Sequence, residues 1–78
     1  MNKWMKVAFD EATTGMLANE GGPFGAVIIK DDKIIASAHN QVLLSKDPTA
    51  HAEINAIRQA SKKLGSFDLS GCVLYTTC

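Results

Sequence analysis

The first apolar stripe has a helical period. Across residues 3–19, Met5, Ala8, Phe9, Ala12 and Met16 recur at spacings of three and four, on one face of an amphipathic helix. Gly21-Gly22-Pro23 is the predicted stop, since glycine disfavours a helix interior and proline cannot continue one. The pattern then changes. Residues 24–29 are a nearly unbroken β-prone run, Phe-Gly-Ala-Val-Ile-Ile, and residues 34–39 are a second, Ile-Ile-Ala-Ser-Ala-His. Asp31-Asp32-Lys33 separates them, which predicts a β-hairpin with a short solvated turn.

Residues 40–46 carry no period. Asp47-Pro48-Thr49 then offers two alternative helix caps and a proline suited to a first turn. Ala50, Ile54, Ile57, Ala60 and Leu64 share one face of a helix predicted over residues 50–64, with Lys62, Lys63 and Gly65 in positions that favour its end. Residues 72–77, entered through Ser70-Gly71, read as a third strand. The predicted order is α-β-β-α-β in one domain, with no repeat, linker or low-complexity stretch. A helix between the second and third strands demands a crossover, which predicts an α/β fold with a mixed sheet and helices on its faces.

Composition narrows the function classes. The 78 residues hold eight Lys+Arg against eight Asp+Glu and are 46% hydrophobic, unlike a disordered or polybasic tail. Formal charge zero gives no electrostatic case for a polyanion, so no nucleic-acid partner is favoured. No leader pattern and no stretch near 18 consecutive apolar residues occurs, so no membrane partner is expected. The two cysteines, Cys72 and Cys78, would lie about 20 Å apart on an extended strand, beyond disulfide reach, and a reducing, cytoplasmic setting is expected. A chain of this length buries only about 60% of its unfolded surface and usually needs a metal or a partner.

His51-Ala52-Glu53 is the one constellation with a chemical logic. An imidazole can ligate a metal, and a carboxylate two residues on can manage protons for a water activated there, at an electropositive helix end. Residues two apart on a helix do not face each other, however, and converge only if both reach past its end. The triplet alone reads more readily as a solvated first turn with a capping histidine.

Its surroundings decide more. The string Asp47-Pro48-Thr49-Ala50-His51-Ala52-Glu53-Ile54-Asn55-Ala56-Ile57-Arg58 is preceded by Gly22-Pro23-Phe24-Gly25-Ala26-Val27 and followed by Leu74-Tyr75-Thr76-Thr77-Cys78. That set resembles the cytidine and deoxycytidylate deaminase superfamily, most closely its guanine deaminase and nucleoside deaminase branch, from about residue 9 to residue 78. The resemblance implies a three-layer α/β/α fold and zinc-dependent hydrolytic deamination of a purine base or nucleoside. It implies His51 as a zinc ligand and Glu53 as the proton carrier. Asn40 would read the ring by its amide, Phe24 would line the base pocket, and the Ala52 backbone N–H would donate to a substrate carbonyl. Asn40 as a turn asparagine and Phe24 as core packing are the plain alternatives. His39 is expected to be structural.

In these relatives the Thr-Thr-Cys stretch leads into Glu-Pro-Cys-x-x-Cys, whose two cysteines complete the zinc set. Residues 1–78 lack that motif, so they are expected to be the amino-terminal part of one deaminase domain, with an incomplete zinc site and no activity alone. The family pattern makes neither Cys72 nor Cys78 a ligand. A homo-oligomer is implied by the same resemblance. Two rivals remain: a transfer-RNA adenosine deaminase, against which Phe24 and the terminal cysteine argue, and a non-catalytic binding or assembly module.

Overall fold

The computed structural model describes residues 2–77, and Cys78 lies outside them. Helix α1, Lys3–Leu17, is capped by Asn2, whose Oδ1 accepts from the N–H groups of Trp4 at 2.7 Å and Met5 at 3.4 Å. It ends before the Gly-Gly-Pro stop. Asn19 takes the left-handed conformation (φ 62°), and the N–H groups of Asn19 and Glu20 donate to the carbonyls of Met16 and Gly15. This double closure satisfies the last carbonyls, so an asparagine terminates the helix.

Strands β1 (Gly25–Lys30) and β2 (Lys33–His39) form the predicted hairpin. Its two turn residues, Asp31 and Asp32, both have positive φ (51° and 60°), the type I′ geometry that matches strand twist. The register slips between Ile28 and Ile29, so Ile35 is an extra residue on β2. This bulge lets Ile35 and Ala36 both pack toward the same cluster.

A short helix, α2 (Val42–Ser45), occupies the segment without period, and Lys46 at φ 54° ends it. Helix α3 is Ala52–Leu64, two residues shorter at its start than predicted, with His51 as its cap residue. Neither proposed cap is used. Asp47 Oδ1 instead accepts from the N–H (2.9 Å) and Oγ1 (2.7 Å) of Thr49, closing a turn ahead of the helix. Gly65 ends α3 in the left-handed conformation, as its position predicted. Strand β3 is Val73–Thr76.

The sheet order is β2-β1-β3, with both pairs antiparallel. The mixed sheet is therefore a correction among the described residues. The crossover through α3 does join two strands of the same direction, but β1 lies between them, and every hydrogen-bonded pair is antiparallel. Helices cover both faces, giving three layers. Ala26 and Ile28 of β1 face one cluster with Ala36, Ala38, Ala52, Ala56 and Ala60, while Val27 and Ile29 face Ala8, Trp4, Val7 and Tyr75. Cover on both sides is why β1 has no polar alternation.

Small residues set the layer spacing. Helix α3 buries Ala52, Ala56 and Ala60 rather than the predicted Ile54 and Ile57, because the facing strand positions are also alanines and permit close approach. On the other face, a Cβ at Gly25 would run into the backbone of Ala8 and Ala12, so a glycine there lets α1 sit directly on the sheet. Among the described residues, no helix is long and apolar enough to cross a membrane.

Candidate functional site

The five residues singled out from sequence line one open cleft of about 210 Å³: Phe24, Asn40, His51, Ala52 and Glu53. They arrive from three places in the fold. Phe24 directly precedes β1, Asn40 directly follows β2, and the other three form the start of α3. The cleft thus opens where the hairpin's open end meets the N-terminus of a helix.

Local chemistry accounts for each placement. No side chain caps α3, so its first N–H groups, including that of Ala52, remain directed at the helix entrance. His51 is extended (φ −71°, ψ 157°), which lets its ring turn back beyond the helix end, and its Nδ1 lies 3.4 Å from Glu53 Oε1. This resolves the spacing problem of the triplet: the two side chains converge because one of them stands outside the helix. Glu53 also sits in the first turn, where the helix dipole favours a carboxylate.

Asn40 is buried and fully oriented. Its N–H donates to the Phe24 carbonyl (3.0 Å) and its Oδ1 accepts from the Val42 N–H (3.1 Å). With the oxygen engaged, Nδ2 is the group left to address the cleft, which makes Asn40 a donor there. Phe24 is 40% exposed, so it presents ring surface to the cleft instead of filling the core.

Three residues not anticipated from sequence hold these parts together. Asn55 Nδ2 donates to the carbonyls of His39 (3.0 Å) and Ala50 (3.3 Å), tying the end of β2 to the approach of α3. The Gln41 N–H donates to the Ala50 carbonyl at 2.9 Å in the same junction. Glu20 reaches His39 and Gln41 from the α1–β1 connection. A signal did exist: His39-Asn40-Gln41 are three consecutive hydrogen-bonding side chains at the end of an apolar strand. As expected, His39 is structural. It lies between Glu20 and Glu11, which lift its pKa.

Among the described residues, no three His, Cys, Asp or Glu side chains converge as a metal site would require. His51 is a half-exposed imidazole at the cleft mouth, and a catalytic zinc needs three such protein ligands. Cys72 packs partly buried against the α3-side cluster, a small apolar residue away from the cleft.

The family model for the cytidine and deoxycytidylate deaminase zinc-binding region matches residues 1–78. The guanine deaminase of Bacillus subtilis (strain 168) is 55% identical over 75 residues, which is 96% of this chain and 48% of that protein. A tRNA-specific adenosine deaminase of Aquifex aeolicus (strain VF5) is 47% identical over 74 residues, again 48% of its length. The X-ray structure of the Bacillus subtilis guanine deaminase superposes on the whole chain with a TM-score of 0.94 at 54% identity, over 51% of that structure's chain. The guanine deaminase from Nitrosomonas europaea gives 0.87 at 32% identity over 95% of this chain and 44% of its own. The chain spans about half the length of the curated relatives it matches.

Proposed function

Because the chain belongs to the cytidine and deoxycytidylate deaminase family, we propose that residues 1–78 are the amino-terminal part of one domain of a zinc-dependent hydrolytic deaminase whose substrate is a purine base or nucleoside, guanine foremost. The observation that carries the proposal is the convergence of Phe24, Asn40, His51, Ala52 and Glu53 on a single cleft. His51 supplies one zinc ligand, and the others come from outside the described residues. When bound, zinc supplies the acidity that makes water a nucleophile at neutral pH.

The chain's own residues do the rest. Glu53 accepts one proton of the attacking water and delivers it to the ring nitrogen, then carries the second proton from the new hydroxyl to the amine, which leaves as ammonia, a relay suited to a carboxylate. Asn40 Nδ2 donates to a ring acceptor, and the Ala52 N–H donates to the substrate carbonyl. Phe24 covers a ring face and excludes water. With fewer than three zinc ligands among the described residues, these residues alone are inactive. Self-association belongs to the same proposal on the family resemblance, and a cytoplasmic setting on the cysteine spacing.

Guanine is preferred over a transfer-RNA substrate because the greater similarity is to a guanine deaminase and because zero formal charge offers no phosphate-binding field. The test is ammonia release by the complete protein that carries these residues, with guanine, adenosine, cytidine and transfer RNA offered separately. Turnover of guanine above the others is expected. Turnover confined to transfer RNA would sink the free-base assignment.

A further inference from the structure

Glu20 lies outside the cleft, yet it is bonded to both neighbours of Asn40. Its place is set by the closure of α1, where its N–H donates to the Gly15 carbonyl at 3.0 Å. From there its Oε1 accepts from His39 Nε2 at 3.0 Å and from Gln41 Nε2 at 2.9 Å, so one oxygen holds the side chains on either side of Asn40. The Glu20 carbonyl accepts from the N–H groups of Leu43 and Leu44, at 3.0 Å each, and so fixes the first turn of α2. The following residue completes the fit: a Cβ at Gly21 would collide with Oδ1 and the backbone of Asn40.

The clamp is partly withdrawn from water. The Glu20 and His39 side chains are 23% and 13% exposed, so their charge-assisted hydrogen bond is less screened than a surface contact. Glu11 of α1 is the other charged group facing His39, at 3.5 Å from Nδ1, too long for a strong hydrogen bond, and Nδ1 is buried without a hydrogen-bond partner. Helix α3 contributes only the neutral Gln59 to the small cavity beside His39. Glu20 is therefore the principal anchor of the His39 ring.

We propose that Glu20 is a positioning residue for substrate recognition: by gripping His39, Gln41 and the first turn of α2, it aims the Asn40 amide into the cleft. This rests on the reading of Asn40 as the base-binding amide. Glu20 touches no substrate, and its removal costs binding more than chemistry.

The experiment is steady-state kinetics with guanine on the complete enzyme, comparing Glu20→Ala, which removes the acceptor, with Glu20→Gln, which keeps an oxygen in its place. Glu20→Ala is expected to raise KM about tenfold with kcat within about threefold, and Glu20→Gln to restore KM to within about threefold of wild type. A purely structural role would lower the yield of active enzyme and leave KM unmoved. Should Glu20→Ala fail to fold, Gln41→Ala removes one of the two side-chain donors and is expected to raise KM about threefold. A KM within about twofold of wild type in whichever of these two variants folds, or equal impairment by alanine and glutamine at position 20, would overturn the proposal. A wild-type enzyme that deaminates no purine would instead mark failure of the functional reading, and the positioning role would fall with it.

Discussion

His39 is a partly buried imidazole between two carboxylate neighbours, Glu20 and Glu11. Burial pushes its pKa down, but the hydrogen bond it donates to Glu20 and the nearness of Glu11 outweigh that and raise it above the ordinary 6.5. The same hydrogen bond, followed by that from Gln41, lowers the Glu20 carboxyl below its ordinary 4.5. A raised histidine pKa contributes stability in full below about 6.5 and loses it as pH rises through the folded value; a lowered carboxyl contributes above about 4.5 and loses it as pH falls through its folded value. The pair therefore stabilises most between those limits. Comparing thermal midpoints of wild type and His39→Gln across pH, the gap is expected to be widest near pH 5–6 and to narrow above about 7. A gap that widens with rising pH would contradict this. At this scale the contiguous triplet His51-Ala52-Glu53 was legible because its neighbours form a specific string, and Asn40 and Phe24 followed by resemblance. Glu20 was not, since its partners lie 19 and 21 residues further on and leave no local pattern.

The elements show where local signals compete. Asp47-Pro48-Thr49 has the chemistry of a helix start, yet Asp47 spends its carboxylate on a turn. That choice leaves His51 extended and the α3 entrance uncapped, which is what frees the ring and the N–H groups for the cleft. A better local helix start would have produced a poorer site. The hydrophobic stripes gave the existence of α1 and α3 and part of their buried faces, Ala8, Ala12 and Ala60, but not Gly15, Ala52 and Ala56, because alanine and glycine contacts decide layer spacing and carry little hydropathy signal. The hairpin turn offers a clean test. Asp32 holds a left-handed conformation that costs a non-glycine residue energy, and its salt bridge to Lys3 is long (3.9 Å) and exposed. Asp32→Gly is expected to stabilise by about 0.5–1 kcal/mol, read as a rise of a few degrees in the thermal midpoint. An unchanged or lower midpoint would show that Asp32 makes contacts that outweigh its backbone strain.

For the whole molecule, the three layers were legible from the order of periods: helical, extended, extended, helical, extended. Beyond the β1–β2 hairpin, the pairing of β3 was not, because the crossover fixes the direction of β2 and β3 relative to each other without saying which strand lies between them. That arrangement matters for function. With β1 central, its first residue and the residue after β2 come to the same end of the sheet as the start of α3, and the cleft forms there. The central claim is that this half-site, with one imidazole ligand and one proton-carrying carboxylate, belongs to a zinc-dependent purine deaminase. The most direct measurement uses a chimera in which residues 1–78 replace the matching half of the Bacillus subtilis guanine deaminase, assayed for zinc per chain and for ammonia released from guanine. The account predicts about one zinc per chain both with Glu53 and with Glu53→Gln, and turnover reduced by about 10²–10⁴-fold in the variant. A zinc-loaded chimera that does not deaminate guanine, or a Glu53→Gln form with undiminished turnover, would contradict it.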